Sequence, residues 1–147
     1  MFRSAYLDHD ALTAQLRAWA AAWPDLVRLS SIGTTPEGRD LWLLTLGRDP
    51  DRVRPSAWVD GNMHAAELAE SSMALRIAKG VIAVLRGENP RELAPSELEV
   101  LREIHVFVLP RMSPNGAEAV LTTGRSVRSV PRDARPDALR PRWETAD

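Results

Sequence analysis

The sequence predicts an α/β fold with a central sheet. Two patterns point to it: short apolar runs of strand length alternate with segments of helical period, and the runs are apolar almost without interruption, as in strands covered on both faces. Size agrees with this. The chain has 147 residues, 44% hydrophobic and 27% charged, enough for one domain to bury a core without covalent staples.

The elements follow in order. Asp10 is placed to cap a first helix reaching Trp23, with Leu12, Leu16, Trp19 and Trp23 on one face and Pro24 as its stop. Leu26 to Ile32 reads as a strand, and Gly33 to Asp40 as a turn rich in Gly, Pro and Thr. Leu41 to Leu46 is a strand, and so is the short Ala57 to Asp60. A long helix ends near Leu85, with Leu68, Ser72, Leu75, Lys79, Ile82 and Leu85 near one stripe, widened by Met73, Ile77 and Val81. Ser96 to Glu99 has the form of a capping box for a short helix. His105 to Leu109 is another apolar strand, and Pro114 to Thr122 a short helix. From Gly124 to Asp147 the chain carries six arginines and three prolines with no apolar period, the composition of an irregular loop or tail.

Composition excludes several classes. A formal net charge of −1 is far from the basic excess of a nucleic-acid binder. With no cysteine, neither a disulfide framework nor a thiolate metal site can form, so any metal must be held by His, Asp and Glu. No apolar run reaches the ~18 residues of a membrane span, and the N-terminus lacks a signal-peptide core. The default expectation is a cytoplasmic protein with no membrane or nucleic-acid partner.

One pair of residues carries chemistry. His64 and Glu67 lie three apart, just past the carboxyl end of an apolar strand, where open α/β sheets bind ligands. Imidazole nitrogen and carboxylate oxygen are both zinc ligands, and this spacing lets them reach one ion. A catalytic zinc takes three protein ligands and keeps one position open, so the pair supplies two of three. The other histidines fit poorly: His105 opens its strand at the far end of the sheet, and His9 starts the first helix. H-x-x-E alone is a common pattern, more often met as a solvated His beside a Glu in a helical first turn.

The surrounding blocks resemble the carboxypeptidase A family of zinc carboxypeptidases over roughly residues 26 to 129. SSIGTTPEGRDLWLLTLG resembles its opening hairpin and WVDGNMHAAELAES its strand followed by H-x-x-E. VFVLPRMSPNGAEAV resembles its strand ending in an Asn-Pro-Asp-Gly-like turn, and GRSVRS stands where the family has Arg-x-x-Arg. The resemblance implies a three-layer α/β/α domain with a mixed central sheet whose C-terminal part is missing. It implies zinc as cofactor, a peptide or small peptide-like substrate, and hydrolysis of C-terminal peptide bonds. His64 and Glu67 match the first two metal ligands, Arg128 the catalytic arginine that stabilises the oxyanion, and Arg125 its substrate-binding partner. The third ligand and the general base are expected beyond residue 147, so residues 1–147 alone are expected to be inactive. Ala66 stands where many members have arginine, and the Asn-Arg pair that clamps a substrate carboxylate is not recognisable. Two rivals remain: an aspartoacylase- or desuccinylase-like zinc amidohydrolase, whose members usually carry Gly-Asn where Ala65-Ala66 stand, and a binding module that keeps the fold without the chemistry.

Overall fold

The computed structural model describes residues 5–125 together with Val127 and Arg128. Four helices and four strands follow in the order α1 (His9–Ala22), β1 (Val27–Thr34), β2 (Asp40–Leu46), β3 (Ser56–Asp60), α2 (Leu68–Leu85), α3 (Pro95–Glu103), β4 (His105–Leu109) and α4 (Pro114–Thr123). The sheet is mixed, with strand order β1-β2-β4-β3. β1 and β2 form an antiparallel hairpin, and β4 runs antiparallel to β2 but parallel to β3, in register from Ser56–His105 to Asp60–Leu109. The parallel pair needs a crossover, which α2 and α3 supply.

The core lies against one face of the sheet. Leu44, Leu46, Val106 and Val108 point to it, and Leu12, Leu16 and Trp19 of α1 close over them with Ala74, Leu75, Ala78, Val81 and Ile82 of α2. Each of the large side chains among these contributes roughly 2 kcal/mol by leaving water. The alternate residues, Leu43, Trp58 and Phe107, turn to the other face, and Trp58 on the edge strand is 53% exposed. The Trp58 and Phe107 rings are cross-strand neighbours with centroids 6.1 Å apart.

Four details differ from the sequence reading. The carboxylate that caps α1 is Asp8, not Asp10: it accepts from Ala11 N at 2.7 Å and leaves Asp10 in the first turn, where the helix dipole favours it. Met73 and Ile77 do not widen the buried face of α2, being 57% and 41% exposed, while the small residues Ser71, Ala74 and Ala78 are buried. α3 starts two residues earlier than its Ser-Glu pattern indicates, with Pro95 in the first turn and the Glu97 carboxylate accepting from Ala94 N at 2.8 Å. In β2, burial is confined to Leu44, Thr45 and Leu46, and the residues before them are only partly covered. No described helix is long and apolar enough to cross a membrane. The loop or tail expected over 124–147 lies outside the described residues, apart from Gly124, Arg125, Val127 and Arg128.

Candidate metal centre

Because β3 and β4 are parallel and in register, the loops after both emerge at the same end of the sheet. Backbone bonds zip these loops together: Gly61 N donates to Leu109 O (3.1 Å), Met112 N to Gly61 O (3.0 Å) and Ser113 N to Asn62 O (3.1 Å). Gly61 is required by proximity, since a Cβ there would stand 2.7 Å from the Glu70 carbonyl oxygen. Gly116, in the first turn of α4, packs so closely on Ala65 that a side chain there would overlap the Ala65 methyl.

Asn62 is the centre of the turn. It is fully buried at φ 58°, a left-handed conformation that asparagine tolerates better than most residues. Its Nδ2 donates to the carbonyls of His64 (2.9 Å) and Ala65 (3.2 Å), while its own N donates to Glu70 Oε2 at 2.7 Å. Ser113 Oγ donates to Met63 O at 2.7 Å, and Ala65 N to Arg128 O at 2.8 Å. The run from Gly61 to Ala65 is therefore fixed from two sides.

On this frame the His64 and Glu67 side chains converge, with Nδ1 and Oε2 2.7 Å apart. Arg128 reaches the other edge of the same ring, its Nη2 lying 2.7 Å from His64 Nε2. A guanidinium can only donate, so Nε2 is the acceptor and Nδ1 carries the hydrogen that Glu67 accepts. All three groups stay partly open to solvent. Beside them runs a groove of about 450 Å³, lined by the acidic Asp60, Glu67 and Glu70 and the apolar Met63, Met73 and Ile77. Arg125 is not brought into this cluster: it is exposed, and its backbone N donates to Thr123 Oγ1 at 3.2 Å.

The donor types, one imidazole nitrogen and one carboxylate oxygen, suit a borderline ion such as zinc, and here the two are hydrogen-bonded to each other. Among the described residues no group of three His, Cys, Asp or Glu is placed to hold a metal. His105 is buried at the opposite end of β4, its ring against Gly47.

Sequence reasoning missed Arg111 as well as Asn62. Its guanidinium is buried, donating from Nε to Ser71 Oγ (3.3 Å) and from Nη2 to Leu7 O (2.7 Å), with Nη1 3.7 Å from the Glu118 carboxylate. It thereby ties α2, which follows Glu67, to the start of α1 and to α4, which leads to Arg128. Burial pushes its pKa below the usual arginine value, against the opposing pull of Glu118 and Asp8. A Gly-Asn directly after a strand is a left-handed-turn signal and marks Asn62 in principle. Nothing in the sequence pattern separates Arg111 from the many surface arginines.

His9 borders this cluster, its backbone N donating to Glu118 Oε1 at 2.6 Å. Burial first, and then the Arg111 charge, lower the imidazole pKa from its ordinary 6.5, while Glu118 pulls the other way. The folded ring stays neutral at pH values where the unfolded chain already takes up a proton, so this contribution is intact above 6.5 and lost as the pH falls toward the folded value. His9→Gln should flatten the decline of Tm on acidification and leave the Tm at pH ~8 nearly unchanged. Thermal melts across that range check this; an unaltered slope would remove His9 from the acid response.

Three comparisons bear on this geometry. A family model described as zinc carboxypeptidase matches residues 12–138. A zinc carboxypeptidase of Saccharothrix mutabilis subsp. capreolus is 30% identical over 137 residues, covering 92% of this chain and 30% of that protein. Carboxypeptidase B of Astacus astacus is 27% identical over 127 residues, covering 86% of this chain and 39% of that protein. The crystal structure of carboxypeptidase A from Helicoverpa armigera superposes with a TM-score of 0.76 over 95% of this chain and 32% of that one, and at 17% identity it speaks for the fold alone. The chain thus spans about a third of the length of these relatives.

Proposed function

Since the chain belongs to the zinc carboxypeptidase family, we propose that the protein as a whole is a metallocarboxypeptidase that removes C-terminal residues from peptides. The observation that carries the reading is the meeting of His64 and Glu67 at 2.7 Å, with the Arg128 guanidinium on the same imidazole. In this reading His64 and Glu67 are two of the metal ligands. A zinc ion bound there supplies a Lewis acid for the scissile carbonyl and lowers the pKa of a bound water.

The chain's own residues divide the remaining work. Asn62 and Glu70 hold the loop so that the two ligand side chains converge before any ion arrives, which lowers the cost of ordering them. Arg128 donates to the carbonyl oxygen as negative charge grows on it, leaving His64 to do so. Arg125, exposed just past the end of α4, is assigned to binding the substrate's peptide chain, by its place in the Arg-x-x-Arg motif.

The test uses the whole protein and an N-blocked dipeptide with a free C-terminal carboxylate. Chelator-sensitive hydrolysis is expected, and His64→Ala should release zinc on dialysis where the parent retains it. Turnover indifferent to chelators, or zinc content unchanged by His64→Ala, would overturn the assignment.

A further inference from the structure

We propose that the solvent side of α2, together with the loop that leads to α3, is a second binding site, one for a compact phosphate-type oxyanion. A cavity of about 250 Å³ opens there, lined by Arg76, Lys79 and Arg91 together with Gly80, Pro90 and Glu88. Arg76 and Lys79 stand one helical turn apart and so share a face. Gly80 follows them, and a Cβ added to it would meet no atom within 4 Å, so the cavity reaches down to the helix backbone.

The loop that brings Arg91 across is held in shape. Gly87 at φ 91° reverses the chain after the helix, and Glu88 N returns to Ala83 O at 2.9 Å. Asn89 then clamps the turn, its Nδ2 donating to Leu93 O (3.0 Å) and its Oδ1 accepting from Leu93 N (2.9 Å).

The charges around the cavity are unbalanced. Arg28, Arg39, Arg54 and Arg111 each lie against a carboxylate. Arg76, Lys79 and Arg91 have no acidic partner among the described residues, and Glu88 is engaged by Arg86 Nη1 at 3.1 Å. Three like charges around one concavity focus a positive potential into it. With Glu88 taken up by Arg86, the three cations leave an excess of positive charge, which the roughly −1.5 to −2 of a phosphate monoester at neutral pH would offset. Arginine forks fit phosphate oxygens in pairs, and lysine adds a point charge. The volume falls below the ~300 Å³ at which sites for larger organic ligands begin, so one or two phosphate groups suit it better than a nucleotide.

Titration calorimetry of the full chain with inorganic pyrophosphate at low salt tests the proposal. Saturable one-to-one binding that weakens as salt is added is expected. Arg76→Gln combined with Lys79→Gln should weaken it about tenfold or more. Gly80→Glu, which sets a carboxylate in open space on a helix and carries no folding penalty from glycine loss, should abolish it at unchanged Tm. Arg91→Gln, outside the helix, gives an independent loss should the α2 variants melt early. A parallel arm with phosphatidylglycerol vesicles separates the sources: sedimentation with vesicles that the same substitutions abolish assigns the phosphate to a lipid headgroup, and its absence assigns it to a free solute. Absence of saturable binding in both arms overturns the proposal. So does binding indifferent to Gly80→Glu and Arg91→Gln, or binding lost with Arg128→Ala instead, which would put the anion at the His64 end.

Discussion

Replacing Arg128 with alanine in the whole protein is expected to lower kcat by ~10²–10³ while moving KM much less. The reason lies in when the guanidinium does its work. In the described state it rests on His64 Nε2 at 2.7 Å, a neutral acceptor. A carbonyl oxygen acquiring negative charge is a far better acceptor, so the contact strengthens on the way to the transition state and hardly at all on substrate binding. Arg128→Lys keeps the charge but loses the planar pair of donors and should recover only part of the rate. Steady-state kinetics on a blocked dipeptide decide the matter. An unchanged kcat for Arg128→Ala would remove Arg128 from the reaction, and a rise in KM alone would make it a binding residue.

The second large effect is expected at Asn62. Alanine there takes the Nδ2 donor from the buried Ala65 carbonyl and from the part-buried His64 carbonyl, which keeps only Glu67 N, and puts a methyl-bearing residue at φ 58°. Together these should cost roughly 2–4 kcal/mol of stability. Because the same carboxamide positions the carbonyl of a proposed metal ligand, zinc affinity should fall ~10–100-fold as well. Asn62→Gly separates the two causes: it relieves the backbone but not the lost hydrogen bonds, so it should regain stability without regaining zinc affinity. Denaturant melts and a competitive zinc titration measure both. A loss below ~1 kcal/mol for Asn62→Ala, with zinc affinity intact, would show that the loop is held by its backbone bonds alone.

The fold is legible where one physical rule acts alone. Alternating apolar runs and helical stripes locate all eight elements, because burial against a sheet imposes those periods. Boundaries slip where two residues could do the same work, as with Asp8 and Asp10 at the start of α1. The buried face of α2 misleads for a different reason. Its buried side includes Ser71, Ala74 and Ala78, whose small side chains weigh little in an apolar pattern, while the larger Met73 and Ile77 stay outside. Spacing alone is enough to bring His64 and Glu67 together. The contact of Arg128 with His64 spans 64 residues, and no local pattern reports such a meeting. Here the ordered blocks of the family resemblance, not periodicity, single out Arg128. Asn62 escapes notice because its side chain bonds to backbone carbonyls, and Arg111 because its partners Leu7, Ser71 and Glu118 are distant in sequence.

The zipped loops also have a consequence for the order of events during folding. Ser113 meets Met63 across 50 residues and Arg128 meets His64 across 64, so both closures carry a large chain-entropy cost and depend on the β3–β4 pairing having formed first. At a synthesis rate of ~5–20 residues per second, the His64–Glu67 turn leaves the ribosome several seconds before its far partners. Until they arrive it has only its local bonds, Asn62 to the His64 and Ala65 carbonyls and Glu67 N to His64 O. The contact of Arg128 with His64 is therefore among the last features of this part of the chain to form, after the parallel strands have paired.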